Sequence, residues 1–385
     1  MSYIQQGKKF PQLDLVKEEQ PAFPTNANAI AARLQNINAV AYSKTRNFFN
    51  GAVTYLSAYI SRGFITLPEV RDIFLKKHKL ADAFKLLQEL AWREYFQRVW
   101  QAKGDEILND IRHTQPNVQH YTIPDAIINA QTQIEALNQS VHTLYTTGYM
   151  HNHARMYTAM LTCNIARSHW LTPAKWMYYH LLDGDIASNM LSWQWVAGSF
   201  SSKKYFANQE NINKYSGTIQ TNTYLDTTYD QLQEIPIPVE LQQTSEVSLT
   251  TELTAYTQQI TIDKNKPLLV YNSYNIDPNW YKSEDVNRVL LLEPAHFEKY
   301  PVSNKVINFI VGLAKENIPN VQIAVCSFKQ LTSQYNGQII FKEHPLAKHY
   351  TGKEEPRAWL FPEVSGYYPS FSAYWKKCER YVRYS

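Results

Sequence analysis

The segment His180–Trp195, HLLDGDIASNMLSWQW, places two carboxylates, an amide and two indoles in a stretch with the apolar spacing of a buried helix. If this stretch is helical, Asp185, Asn189 and Trp193 share one face, because they are four residues apart. The Asp-Gly-Asp step resembles a loop for a hard metal, but the Ile, Ala and Ser that follow do not supply the further oxygen ligands. A capped helix with indoles in the core explains Asp183, Gly184 and the two tryptophans. It does not explain Asn189, since a buried amide needs hydrogen-bond partners. A heteroaromatic ligand supplies such partners, so we predict a ligand pocket here.

The helical spacing extends on both sides of this segment. From about residue 26 to residue 205, apolar residues recur at helical intervals, as in LADAFKLLQELAWREYFQRVW and ARMYTAMLTCNIARSHW. Thr66 with Pro68, and Thr172 with Pro173, predict two helix starts, and Gly184 predicts the end of the second helix. We therefore assign residues 1–225 to an all-helical domain.

The C-terminal part has a different pattern. Residues 226–264 are rich in Thr and Gln and are predicted to be a polar connector. In residues 265–345 the short runs PLLVY, RVLLLE, VQIAV and QIIF alternate with the helical run SNKVINFIVGLAKEN, which is typical of a small α/β, Rossmann-like domain with a parallel sheet. The aromatic-rich tail, residues 346–385, is expected to pack on the body of the protein. The predicted fold class is thus multidomain α and α/β.

The composition of the chain excludes several kinds of protein. The chain has 385 residues and a formal charge of +4, so any contact with nucleic acid must come from a local basic patch. Its three cysteines form no C-x-x-C pair, which argues against a disulfide framework, a structural zinc site and a cysteine-held iron–sulfur cluster. The sequence has no secretion signal and no long apolar run, and we expect a cytoplasmic protein without membrane contact.

A second cluster of functional residue types lies in MHNHARM, residues 150–156. Asn152, Arg155 and Met156 are three and four residues apart, so an amide, a guanidinium and a thioether share one helical stripe. His151 and His153 alternate, and this spacing does not suit a two-histidine metal clamp on a helix. We predict no metal site.

A third cluster lies in QELAWREYF, residues 88–96. Glu89 precedes Trp92 by three residues and Arg93 by four, so an acid, an indole and a cation can face one pocket. The alternative is an ordinary salt bridge on a solvated helix. The apolar flanks of this segment favour burial of much of the helix.

A fourth cluster, VTYLS at residues 53–57, lies ahead of a helical segment. The hydroxyls of Thr54 and Ser57 can bind phosphate, as can Tyr42 and Arg46 upstream. The alternative is that these hydroxyls only cap the helix.

Taken together and in this order, the motifs resemble the FAD-binding helical domain of the photolyase and cryptochrome family, and most of all the photolyases for cyclobutane pyrimidine dimers. The similarity runs from about Tyr42 to Trp195, and its most specific parts are ELAWREYF, TGYMHNHARM and LLDGDIASNMLSWQW. In that family an α/β antenna domain precedes the helical domain, whereas the α/β unit follows it in this chain. The reversed order makes a second, antenna chromophore doubtful.

The resemblance implies roles for individual residues. It implies non-covalent binding of FAD by Tyr42, Thr54, Leu56, Ser57, Arg93, Asn152, Arg155, Asp183, Asp185 and Asn189. Within that set it pairs Asp183 with Arg155, directs Asp185 to the polar edge of the isoalloxazine and places Asn189 near its N5. It implies contacts to damaged bases by Glu89, Trp92, Asn152, Met156 and Trp195. Trp193 and Trp170 match two members of the chain of aromatics that reduces the flavin, and Tyr121 or Trp176 is the candidate for the third.

The activity implied by the resemblance is that of a deoxyribodipyrimidine photolyase. Such an enzyme repairs cyclobutane pyrimidine dimers in UV-damaged DNA with light, through electron transfer from reduced FAD to a flipped-out dimer. Glu89, Asn189, Trp193 and Trp170 are then the catalytic residues, and we expect the protein to act as a monomer. Two alternatives are a cryptochrome-like blue-light photosensor and a photolyase for the pyrimidine–pyrimidone (6-4) photoproduct. The presence of His151 and His153 keeps the second alternative open.

Overall fold

The computed structural model describes residues 21–382. Its first half is helical and contains α1 Ala27–Gln35, α2 Ala39–Thr45, α3 Ser57–Ser61, α4 Leu67–Lys77, α5 Leu80–Lys103, α6 Asp125–Ile128, α7 Glu135–Thr147, α8 Asn152–Met160, α9 Leu171–His180, α10 Ile186–Ala197 and α11 Gln209–Ser216. The second half contains α12 Tyr229–Leu232, α13 Pro294–Lys299, α14 Asn304–Asn317, α15 Phe328–Thr332 and α16 Phe371–Val382. The strands are β1 Ile123–Pro124, β2 Thr244–Ser245, β3 Leu268–Tyr271, β4 Asn287–Leu291, β5 Gln322–Ala324, β6 Ile339–Lys342 and β7 Lys353–Glu355.

The longest helix, α5, is the centre of the helical half. It has 24 residues and packs against α2, α4, α10 and α16. It ends where Gly104 adopts a φ of 56°, a backbone conformation that costs glycine little. The adjacent helix α4 begins with a capping box between Thr66 and Glu69, which confirms the predicted start at Thr66.

The helix α9 ends earlier than the sequence indicated. Its last residue is His180, and Leu181 is already extended, with a ψ of 122°. Gly184 therefore lies in the following turn, where an added Cβ would be 2.9 Å from the Leu181 carbonyl oxygen. This turn separates α9 from α10 and puts Asp183 in the loop and Asp185 at the N-cap of α10.

The C-terminal half contains a parallel five-stranded sheet in the order β5-β4-β3-β6-β7. Every residue of β3 and β4 is buried, as expected for central strands covered on both faces. The edge strand β7 comes from the segment assigned to the tail, so the sheet continues past the boundary predicted at residue 345. The fold class, helical followed by α/β with a parallel sheet, is confirmed.

The connector and the tail both contact the helical half. β2 of the connector pairs antiparallel with β1, a pairing that the sequence did not predict. The buried carboxylate of Glu94 on α5 accepts hydrogen bonds from the backbone amides of Leu360 and Phe361 and from the Tyr374 hydroxyl. One hydrophobic core runs through the helices, the tail and one face of the sheet. Over residues 21–382, no helix is both long and apolar enough to cross a membrane.

Candidate functional site

A cavity of about 630 Å³ lies among α2, α3, α5, α8 and α10. It is within the range of small-molecule and cofactor sites. The residues predicted for the site that line it are Tyr42, Thr54, Ser57, Glu89, Trp92, Arg93, Asn152, Arg155, Met156, Asp183, Asp185, Asn189, Trp193 and Trp195. Leu56 and Trp170 do not line it, and both are buried in the core. The four sequence clusters therefore meet at one place.

An ion pair between α8 and the turn before α10 forms one side of the cavity. The Arg155 Nη2 atom donates to both carboxylate oxygens of Asp183, at 3.0 and 2.9 Å. Burial acts to raise the pKa of Asp183, but the charge and hydrogen bonds of Arg155, the Ser57 hydroxyl and the charge of Arg93 together hold it below its ordinary value. Asp183 is therefore an anion at neutral pH, and its pairing with Arg155 is the one that the resemblance implied.

Asp185 is connected to the α/β half of the molecule by hydrogen bonds. Its Oδ1 accepts from the Ser188 amide at 2.7 Å, which caps α10. Its Oδ2 accepts from Gln97 Nε2 at 2.5 Å. Gln97 in turn accepts from Arg357 Nη1 at 2.8 Å, and Arg357 lies 3.5 Å from Glu343. A polar network thus runs from the end of β6 to a carboxylate of the cavity.

Asn189 follows Asp185 on the inner face of α10. Its Nδ2 donates to the Ala174 carbonyl at 2.8 Å, so a protein group satisfies one end of the amide. The neighbouring Ser188 hydroxyl is buried and has no hydrogen-bond partner among the residues that the structure describes. Both residues line the cavity, where a ligand with polar ring atoms would bond to them.

The other side of the cavity is formed by α5. The Glu89 carboxylate lies 3.1 Å from Lys85 Nζ and 3.4 Å from Arg46 Nε, and its side chain is about one-third exposed. The salt bridge considered from sequence, between Glu89 and Arg93, is not among those of residues 21–382: Arg93 lies 3.6 Å from Asp185 instead. Glu89 and its partners Lys85 and Arg46 all line the cavity. Trp92 stacks on Phe371 of α16, with ring centroids 3.8 Å apart and planes 12° apart. Phe371 does not line the cavity, so it supports the indole from behind.

The aromatic residues predicted for electron transfer lie at different depths. Trp193 lines the cavity and is 2% exposed, whereas Trp170 is fully buried and donates its indole N–H to Asp110 at 2.7 Å. His169, next to Trp170 in the chain, stacks on Tyr121 at 5.1 Å. Tyr121 is 69% exposed. Trp176 is buried and bonds to Tyr145 instead.

Several cavity residues were not predicted. Lys85 had a sequence signal, because it stands four residues before Glu89. Tyr55 and Tyr149 had none: they pack edge to face at 5.2 Å, and Tyr55 adopts a φ of 52°, which is rare for a bulky residue. Backbone strain of this kind occurs often at functional sites.

The two histidines of MHNHARM do not line the cavity. His153 bonds through Nδ1 to the Asn47 carbonyl and stacks on Tyr157, and His151 packs on Phe49. Burial lowers the pKa of His151 to about 4, so its ring is neutral at pH 7. Within residues 21–382, no group of three or more His, Cys, Asp or Glu side chains is arranged to hold a metal ion.

Several known proteins match part of the chain. Residues 86–264 match the family model described as the FAD binding domain of DNA photolyase. This part of the chain is therefore similar to the FAD binding domain of the DNA photolyases. Over 242 residues the chain is 26% identical to a cryptochrome DASH from Synechocystis sp., covering 59% of this chain and 49% of that protein. Over 193 residues it is 30% identical to a deoxyribodipyrimidine photo-lyase from Synechococcus sp., covering 46% and 40%.

A solved structure also matches part of the chain. A crystal structure of a Synechocystis sp. cryptochrome aligns with a TM-score of 0.46 and 24% identity, covering 54% of this chain and 46% of that one. The chain thus spans less than half the length of each of these photolyase and cryptochrome relatives.

The residues of the cavity fit the FAD of a photolyase-type domain. FAD combines a diphosphate, sugar hydroxyls and a flat ring system with polar edges. Arg93 and Arg155 supply cationic donors, and Thr54 and Ser57 supply hydroxyls. Asp183, Asp185, Ser188 and Asn189 supply polar groups for ring nitrogens and carbonyls, and Leu86, Phe96, Ala159 and Met177 supply apolar walls. The unpartnered buried hydroxyl of Ser188 is the observation that favours a ligand most directly.

Proposed function

We propose that this protein is a DNA photolyase that repairs cyclobutane pyrimidine dimers with light, using FAD held in the cavity described above. One observation carries the proposal: the five side chains implied for the lesion line the same cavity as all the side chains implied for the flavin except Leu56. An electron donor and its acceptor must lie close together, and a shared cavity provides this.

The roles of the lesion residues follow from their positions. Trp92, fixed by Phe371, and Trp195, which is 37% exposed, offer flat apolar surfaces to a flipped pair of bases. Glu89 is placed to hydrogen-bond the base that accepts an electron. Lys85 and Arg46 hold the Glu89 carboxylate in position and offset its repulsion of the arriving negative charge.

When bound and reduced, FAD supplies a photoexcited one-electron donor. The dimer gains one electron, the two carbon–carbon bonds that join its bases break, and the electron is returned, so the net reaction consumes only light. The side chains of the cavity exclude water and keep the dimer in place during this sequence. For reduction of the flavin we propose the route Tyr121, Trp170 and Trp193, in which each ring is oxidised in turn.

The two alternative functions, repair of the (6-4) photoproduct and light sensing, require different residues at the cavity. Repair of the (6-4) photoproduct by histidines at the lesion is disfavoured, because neither His151 nor His153 lines the cavity. A photosensor that performs no repair has no evident need for Glu89, Trp92 and Met156 together at the cavity wall. A photosensor remains the second candidate, because relatives named cryptochrome DASH match at similar identity.

The decisive experiment is an illuminated repair assay on defined lesions. Purified protein is loaded with FAD, reduced, and given oligonucleotides that carry one cyclobutane dimer, one (6-4) photoproduct or no lesion, in blue light and in the dark. We expect the cyclobutane dimer to be repaired in blue light and not in the dark. Protein without a flavin absorption spectrum would refute every light-driven function, and flavin-loaded protein that repairs neither lesion would favour the photosensor.

A further inference from the structure

The helix α16 packs against α5. Its first residue, Phe371, stacks on Trp92, and four residues later Trp375 packs edge to face on Phe84 at 5.5 Å. Phe84 is followed directly by Lys85, which lines the cavity, as Trp92 does. No residue of α16 lines the cavity, but α16 contacts α5 at and next to residues that do.

The two faces of α16 differ sharply in character. The face on α5 is apolar and consists of the buried residues Phe371, Tyr374, Trp375, Cys378 and Val382. The outer face carries three exposed cations, Lys376, Lys377 and Arg380, which we call the α16 basic row. No carboxylate of residues 21–382 lies within salt-bridge distance of these three cations. The one acid in the helix, Glu379, is half-buried.

We propose that the α16 basic row binds the phosphodiester backbone of the DNA strand whose damaged bases enter the cavity. This inference rests on the proposed function and adds the surface that holds the strand. Three exposed cations that have no carboxylate of residues 21–382 within salt-bridge distance are electrostatically complementary to a polyanion. They follow closely after Phe371, which stacks on the cavity residue Trp92. The chain as a whole has a formal charge of only +4, so a local row must supply the contacts.

An anionic membrane is the competing partner for a basic amphipathic helix. Such a helix binds a membrane by inserting its apolar face among the lipids. In α16 that face is already buried on α5, and the Tyr374 hydroxyl is bonded to the buried Glu94 at 2.6 Å. A nucleic acid backbone needs only the exposed cations, so we favour DNA.

The test compares two triple variants of equal charge. K376Q/K377Q/R380Q removes the α16 basic row, and K282Q/K315Q/K329Q removes three exposed lysines of the α/β half. Binding of undamaged single-stranded and duplex oligonucleotides is measured in the dark between 50 and 200 mM salt. Three lost phosphate contacts should reduce the slope of log affinity against log salt by about 2 on single strands and by about 3 on duplex.

We expect this loss of slope in K376Q/K377Q/R380Q and an unchanged slope in K282Q/K315Q/K329Q. An unchanged slope in the first variant, or an equal loss in both, would overturn the proposal. Loss of binding to anionic phospholipid vesicles by the first variant, with DNA binding intact, would assign the row to a membrane and also overturn it. Since undamaged DNA is used in the dark, absence of photorepair would refute the proposed function without altering this readout.

Discussion

Replacement of Arg155 by methionine should strongly destabilise the protein. The Asp183 side chain is only 6% exposed, and Arg155 Nη2 bonds to both of its oxygens. Removing one partner of a buried ion pair costs about 3–5 kcal/mol, because the other charge stays buried without compensation. The Ser57 hydroxyl and Arg93 still act on Asp183, so we expect a loss of about 3 kcal/mol at pH 7.

The dependence of this loss on pH has a definite sign. In the wild type the pKa of Asp183 is lowered, so the pair stabilises the fold above the ordinary aspartate pKa of about 3.9 and this contribution is lost as the pH falls through the folded value. Without Arg155, burial raises the pKa of Asp183, and protonation then relieves part of the penalty. The destabilisation should therefore be largest at pH 7 and smaller at pH 5.

Urea titrations of flavin-free protein at the two pH values measure the free energy of unfolding. The variants needed are Arg155→Met, Asp183→Asn and the double variant. Because the double variant buries no unpaired charge, it should be less destabilised than the sum of the two single variants. A loss below about 1 kcal/mol at pH 7 for Arg155→Met, or strict additivity, would contradict the reasoning.

Three further predictions concern the cavity and its supports. Glu89→Ala should lower the repair yield about tenfold or more, because the substrate loses one hydrogen bond to a charged group. The amount of bound flavin should not change. An unaltered yield in a single-lesion assay would show that Glu89 does not belong to the substrate site. Gln97→Leu should cost about 1.5–3 kcal/mol in urea unfolding because Asp185 loses a donor. Gln101→Leu is the control, since Gln101 bonds to Arg357 without reaching Asp185, and equal losses in both variants would argue against the network. Burial lowers the pKa of several histidines, among them His151, with a folded pKa of about 4, and His180, with about 3. The unfolded state therefore binds more protons below about pH 6.5, and each of these two should cost about 1.4 kcal/mol of stability per pH unit as the pH falls toward its folded value. Potentiometric proton uptake on unfolding at about pH 5.5 measures this, and no uptake would contradict it.

Much of the fold could be predicted because its signals are local. Apolar spacing indicated α5 and α14, and four continuous apolar runs indicated β3 to β6. The strand β7 was missed because Lys353–Glu355 is short and charged, as edge strands often are. The pairing of β1 with β2 joins two-residue segments far apart in the chain, and no local pattern specifies it.

The residues of the site are likewise of two kinds: those that sequence spacing predicts and those that only tertiary packing brings together. Asp185, Asn189 and Trp193 were grouped from their spacing, and all three line the cavity since they belong to α10 and its cap. The contributions of Gln97 and Arg357 could not be predicted. Neither residue stands in a pattern that marks it. Gln97 reaches Asp185 because α5 packs on α10, and Arg357 reaches Gln97 because the tail packs on α5.

The anchoring of Glu94 has a consequence for how the chain acquires its flavin. The backbone donors to this carboxylate, Leu360 and Phe361, are separated from it by 266 and 267 positions in the sequence. While the chain is being synthesised, Glu94 on α5 lacks these donors until residues 360 and 361 have left the ribosome. A buried carboxylate that lacks its hydrogen-bond donors opposes packing of α5, which forms one wall of the cavity. We therefore expect flavin uptake to follow synthesis of residues 360 and 361, although the helical half emerges first.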